Sequence, residues 1–172
     1  METDDPTRGI SKTFAFIAWF LIIGALFYYF QGVLDKRHNP NQQLQSLITS
    51  QSIETVLIRN RAGHYVGNAL INGHSIEFML DTGATSVAVS ERAARRLDMP
   101  RMAPVQIRTA NGIATGYIST IDTLKLGEIT LTQVPATIAP GLEGTDVLLG
   151  MSALKQLDFR QQGNELTLIQ VR

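Results

Sequence analysis

The sequence predicts an all-β, barrel-like domain with one or two short helices, preceded by a single N-terminal apolar helix. Three observations support this class. Short segments of strand period recur from Ile53 to the C-terminus, separated by turn signals. Only two stretches in that region, Glu91 to Leu97 and Met151 to Leu157, have helical character. Before them, Phe14 to Phe30 run without a charge.

The elements follow in order. Residues 1–13 form a short polar tail with charges of both signs. The uncharged run over residues 14–30 makes about 25 Å of helix, the short end of a membrane span, and it is apolar on every face. Trp19, Tyr28 and Tyr29 suit interfacial positions. A cleaved signal peptide fits less well. Glu2, Asp4 and Asp5 precede the run, and Tyr28 to Gly32 offer no small-x-small cleavage site. Arg8 and Lys12 before the span balance Lys36 and Arg37 after it, so the charges leave its orientation open.

Residues 31–52, rich in Asn and Gln and poor in apolar side chains, read as a partly ordered tether. A domain over residues 53–172 follows. Val56 and Ile58 alternate with Leu57 and Arg59. Tyr65 to Ile71 and Ser75 to Leu80 flank Asn72-Gly73, a hairpin signal. Within the second run Ile76, Phe78 and Leu80 alternate with Glu77 and Met79, so one face is the more buried. Val87 and Val89 continue as a strand, and Ser90 caps the helix that puts Ala93, Ala94 and Leu97 on one side. Gln106 to Thr109 and Ala114 to Leu126 form a second hairpin around Asn111-Gly112. Ile129 to Val134 and Ala136 to Ala139 are two further strands, and Phe159 with Leu166 to Val171 closes the chain as a terminal hairpin.

Composition removes several function classes. The 172 residues carry 15 basic and 15 acidic side chains, and a neutral chain without a basic stripe offers no electrostatic footprint for nucleic acid. There is no cysteine, which excludes disulfides, thiol catalysis and thiolate metal sites. His38, His64 and His74 show no ligand spacing with carboxylates, so no metal and no cofactor is expected. Gly150-Met151-Ser152-Ala153 lacks the second glycine of a nucleophile elbow. Glu91, Arg92, Arg95 and Arg96 read as the solvated face of their helix.

The chemistry concentrates at Phe78-Met79-Leu80-Asp81-Thr82-Gly83-Ala84-Thr85, where an apolar strand stops on a carboxylate. An acid there is costly unless a turn supplies hydrogen bonds. Gly83 is expected to adopt a conformation that side-chain-bearing residues avoid, leaving backbone N–H groups to face the acid.

Asp81-Thr82-Gly83-Ala84 resembles the catalytic loop of aspartic proteases, in particular their one-lobe retropepsin branch. Thr109 to Gly116, roughly thirty residues on, matches the family's flap, and Val147-Leu148-Leu149-Gly150 resembles the apolar-apolar-Gly segment that threads beside the catalytic loop. The resemblance spans about residues 66 to 170 and implies a retropepsin-like closed barrel.

It also implies a function. Catalysis in this family uses two carboxylates that share a proton around a water. This chain has one Asp-Thr-Gly, and Asp122, Asp146 and Asp158 lack the following Thr-Gly. The resemblance therefore implies an aspartic endopeptidase acting as a homodimer, Asp81 meeting Asp81 of a second chain. Thr82 would brace the two loops, and Gly83 would leave room around the acids. Ala84 offers no hydroxyl to the carboxylate, which implies an optimum less acidic than that of pepsin-like enzymes. Ala84, Thr85, Asn111, Gly112 and Ile113 would contact an extended peptide substrate. Membrane-anchored bacterial relatives imply a single-pass inner-membrane protein with its domain in the periplasm. The alternative is a non-catalytic dimerisation or peptide-binding module on the same fold.

Overall fold

The turn at Asn72-Gly73 shows how local sequence sets the architecture. Both residues lie in the left-handed region, φ 48° and 82°, which Gly tolerates freely and Asn better than most. The computed structural model describes the backbone of residues 7–109 and 112–172 and the side chains of residues 14–108 and 112–172. Within them the turn joins β3 (Tyr65–Ile71) to β4 (His74–Leu80). Asn72 also seals the turn with its side chain. Its Oδ1 accepts from the amides of Asp122 and Thr123, and its Nδ2 donates to the Leu97 carbonyl.

The chain divides into two units. The first, Met1–Arg37, is described by the helix α1 (Thr7–His38), which starts earlier and ends later than the 14–30 run. Its part from Phe14 to His38 is long and apolar enough to cross a membrane.

The second unit, His38–Arg172, is built of two sheets. β1 (Ser46–Ile48), β2 (Ser52–Ile58), β10 (Asp158–Gln162) and β11 (Glu165–Val171) form one, in the order β1-β2-β11-β10. β3 and β4 belong to the other, with β5 (Val87–Ser90), β6 (Pro104–Thr109), β7 (Gly112–Leu126), β8 (Ile129–Ala139) and β9 (Val147–Leu149). Its order is β3-β4-β9-β5-β8-β7-β6, and a further pairing of β3 with β7 closes six strands into a barrel. β6 hangs outside that closure as one arm of the β6–β7 hairpin. Two short helices, α2 (Glu91–Arg96) and α3 (Met151–Leu154), complete the fold.

The barrel core follows strand alternation. Ile76 and Phe78 point inward from β4, and they pack with Ile71, Val87, Val89, Ile121, Leu124, Ile129, Val147 and Leu149. Burying each large apolar side chain contributes roughly 1.5–3 kcal/mol before the entropy of ordering it is charged. On α2 the Ser90 side chain accepts from the Ala93 amide, and Ala93, Ala94 and Leu97 enter the core as the pattern requires.

Two expectations change. The strands expected at Ile129 to Val134 and Ala136 to Ala139 are one strand, because β7 is long enough to pair with both halves in a single register. The stretch expected to be a partly ordered tether is built into the domain from His38 on. Asn39 and Asn41 are buried, and Asn41 donates to the Ile58 and Val66 carbonyls at 2.9 and 2.7 Å and accepts from the Ile58 amide at 2.7 Å. Polar side chains can be core residues when every polar group finds a partner.

Candidate active site

The Asp81 loop owes its position to β9. That strand pairs parallel to β4, with Leu80 opposite Leu149, and antiparallel to β5, with Ala88 opposite Leu148. The chain leaves β4 at Leu80, crosses the end of β9 through residues 81–86, and returns as β5. Asp81 is therefore carried at the tip of a barrel strand on a loop that bridges two strands held apart by a third.

Backbone hydrogen bonds fix the loop to its base. The Asp81 amide donates to the Leu149 carbonyl (3.1 Å), the Ala84 amide to the Asp81 carbonyl (3.3 Å), and the Met151 amide to the Ala84 carbonyl (2.8 Å). Gly150 admits this approach. A Cβ there would fall 2.7 Å from the Ala84 carbonyl oxygen and closer still to that of Ser86. Ser152, at the start of α3, donates to the Pro135 carbonyl (2.6 Å) and accepts from the Val87 amide (2.9 Å). Its hydroxyl is buried and occupied by both bonds, which suits a structural tie rather than a nucleophile.

The carboxylate itself is half-buried, and the Gly83 amide donates to its Oδ1 at 2.8 Å. The expected backbone donor is thus in place. The reason for glycine differs from the expectation, because Gly83 is not in the left-handed region. A Cβ on Gly83 would stand 3.2 Å from Asp81 Oδ1, so the missing side chain keeps the acid uncrowded.

Asp81 and Thr82 line a cleft of about 260 Å³ with Tyr65, Leu80, Leu154, Phe159, Gln161 and Leu166. Those six come from β3, β4, α3, β10 and β11, and sequence spacing could not have gathered them. The Arg59 guanidinium lies 5.3 Å from the Tyr65 ring centre and donates weakly to its hydroxyl (3.4 Å), fixing that wall.

The remaining expected residues fall into two groups. Thr82, Gly83, Ala84 and Thr85 share the loop with Asp81; Thr82 and Thr85 are exposed and Ala84 half-buried. Gly112 and Ile113 lie on the β6–β7 hairpin, where Gly112 pairs with Thr109 and Ile113 is exposed. Asn111, expected at the tip of that hairpin, lies outside the described residues. Neither Gly112 nor Ile113 lines the Asp81 cleft.

Asp122, Asp146 and Asp158 lie outside the Asp81 cleft. Asp146 pairs with Arg92 at 2.8 Å and with Arg96 at 3.7 Å, and it raises the Arg92 pKa by its hydrogen bond first and its charge second. It sits in a wider hollow of about 440 Å³ that no residue of the Asp81 loop lines. Asp122 accepts from Gln133, and Asp158 is exposed at the start of β10. His38 reaches Glu77 at 3.1 Å on the surface. Among the described residues no group of three or more His, Asp or Glu side chains could hold a metal ion.

Residues 67–156 match the model of the gag-polyprotein putative aspartyl protease family. An uncharacterized protein from the cobV 5′ region of Sinorhizobium sp is 31% identical over 111 residues, 63% of this chain; the chain spans about half of that relative, 48%. A retropepsin-like aspartic protease from Rickettsia conorii superposes with a TM-score of 0.62 at 27% identity, covering 75% of this chain and 96% of that one. EIAV protease complexed with an inhibitor superposes with a TM-score of 0.45 at 21% identity, covering 56% of this chain and 89% of that one. With a family match that takes in the Asp81 loop, the β6–β7 hairpin and β9 together, the chain belongs to the gag-polyprotein putative aspartyl proteases, within the retropepsin-like aspartic proteases.

Proposed function

We propose that this chain is a membrane-anchored aspartic endopeptidase that works as a homodimer, with α1 in a bacterial inner membrane and the β domain on the periplasmic side. One observation carries the reading. The Asp81 carboxylate is held by the Gly83 amide at the mouth of a cleft, on a loop tied to β9 and α3.

A single such acid is half of the required machinery. With Asp81 of a second copy beside it, one carboxylate acts as general base and takes a proton from a water. The water oxygen bonds to the scissile carbonyl carbon while the protonated partner donates to the carbonyl oxygen. Collapse then breaks the C–N bond, and the amine leaves with a proton returned from the dyad. Thr82, exposed beside Asp81, would brace the paired loops, and the β6–β7 hairpin would cover an extended peptide through backbone pairing. Confinement to one membrane raises the effective concentration of copies and favours the dimer.

The test compares the full chain in detergent micelles with its Asp81→Asn variant on a mixed peptide library between pH 3 and pH 7. Cleavage by the wild type and its loss in the variant, with unchanged thermal unfolding, is the expected result. Cleavage that survives in the variant overturns the assignment of Asp81. No cleavage from a demonstrable wild-type dimer leaves the non-catalytic dimerisation or peptide-binding module as the better reading.

A further inference from the structure

We propose that the β2–β3 turn, residues 60–64, rests on anionic phospholipid headgroups, with Arg61 as the residue that meets the phosphate. The inference rests on the membrane-anchor part of the proposed function and names the surface of the β domain that faces the lipid.

Chain length sets the first condition. The uncharged run of α1 ends at Phe30, and the helix continues to His38. Eight residues at helical rise are about 12 Å, which carries His38 to the outer margin of the headgroup layer. No slack follows. Asn39 is 3% exposed and donates from Nδ2 to Asn68 Oδ1 and Glu77 Oε2, and Asn41 is tied to Ile58 and Val66. A group bonded to His38 is therefore carried at the lipid surface, at any tilt of the helix.

The turn supplies that bond. Asn60 Nδ2 donates to the His38 carbonyl oxygen at 2.9 Å. The other half of the same amide shapes the turn, since Asn60 Oδ1 accepts from the Ala62 and His64 amides, both at 3.0 Å. The backbone closes it twice more, from the Asn60 amide to the His64 carbonyl (2.8 Å) and from the Gly63 amide to the Asn60 carbonyl (3.0 Å). Arg61, Ala62, Gly63 and His64 are all exposed. A well-bonded loop thus stands one hydrogen bond from His38.

Charge chooses the occupant. From Lys36 to Ile76 the sequence carries Lys36, Arg37, Arg59 and Arg61 against one acid, Glu54, in the middle of β2. Arg59 lies over the Tyr65 ring, and Glu77 is engaged by His38 and Asn39. Glu165 stands opposite Ile58, on the ladder that leads to the turn. The Arg61 side chain has no ion pair or hydrogen bond among the described residues. Its guanidinium is a fork for phosphate oxygens, and anionic lipid adds an attraction that a zwitterionic surface lacks. A protein partner would need an apolar centre to bury, and Arg61-Ala62-Gly63-His64 offers none.

The chain has no cysteine, so one introduced thiol reports one position. Ala62→Cys marks the turn, and Gln51→Cys marks the opposite end of β2, roughly 20 Å away. Each full chain is labelled with a fluorophore and reconstituted in phosphatidylcholine vesicles holding about 30% phosphatidylglycerol and a headgroup nitroxide quencher. Quenching at 62 is expected to exceed that at 51 by about fivefold or more. Arg61→Glu on the Ala62→Cys chain, with unchanged thermal unfolding, and omission of phosphatidylglycerol should each lower quenching at 62 by at least about half. Equal quenching at the two positions overturns the proposal. Quenching at 62 that ignores both Arg61→Glu and the anionic lipid also overturns it, because proximity then comes from the anchor alone. The two readings fail separately. A chain that does not float with the vesicles overturns the anchor and this inference together, whereas a floating chain with equal quenching overturns this inference alone.

Discussion

Gly150 lies directly beneath the carbonyl oxygen of Ser86, so closely that a Cβ on Gly150 would overlap it. The Gly150 φ of −94° is open to any residue, so glycine is required there by space alone. Gly150→Ala would push the 81–86 loop off β9 and α3, because the Ala84 and Ser86 carbonyls that it meets are backbone. The expected cost is about 1–3 kcal/mol, as for other overpacked sites. Denaturant unfolding checks this, and peptide cleavage is expected to fall further than stability alone explains.

Ser152 holds the start of β5, where the same loop ends. Ser152→Ala removes the donor to Pro135 and the acceptor for the Val87 amide in one step, leaving two buried backbone groups short of partners. A loss of about 2–3 kcal/mol follows. The measurement is a shift of the urea midpoint with an unchanged m-value.

The contrast between Asn72 and Asn41 explains what the sequence could reveal. Asn72-Gly73 is a local signal, because two residues needing φ > 0 between alternating apolar runs specify a hairpin whatever surrounds them. The same holds for Ser90 as a cap and for the apolar stretch from Phe14, whereas the Asp-Thr-Gly loop and its distant Gly150 were connected only through the family resemblance. Asn41 carries no such signal. Its partners, Ile58 and Val66, are 17 and 25 residues away, and a lone asparagine in a polar stretch reads as linker. The cleft was hidden for the same reason. Tyr65 and Phe159 meet Asp81 only through pairings between strands far apart in sequence. At Gly83 the residue was legible and its reason was not, since crowding of Asp81 Oδ1 is a distance and not a pattern.

Asn41 supplies the third prediction. Asn41→Ala strips hydrogen bonds from the Ile58 amide and from the Ile58 and Val66 carbonyls, two of them at 2.7 Å. The domain is expected to lose about 2–3 kcal/mol. Asn41→Asp should fail to rescue it, because a carboxylate cannot donate to the two carbonyls. Thermal unfolding of the three chains side by side is the check, and equal stability of wild type and Asn41→Ala would show that the segment is only a tether.

Thr82 separates the fold of one chain from the assembly of two. Its side chain is exposed and has no hydrogen-bond partner among the described residues, so within one chain Thr82→Ala should change stability by no more than about 0.5 kcal/mol. In the proposed dimer the same hydroxyl sits at the two-fold axis beside Asp81, where it can bond to its counterpart loop. Thr82→Ala should then weaken association and lower cleavage by about tenfold or more, while Thr82→Ser, which keeps the hydroxyl, should retain most of both. Sedimentation in micelles with cleavage assayed on the same samples reads the two effects together. A variant that dimerises and cleaves like the wild type would place Thr82 outside the contact between loops, and a variant that unfolds early would place its role within the chain.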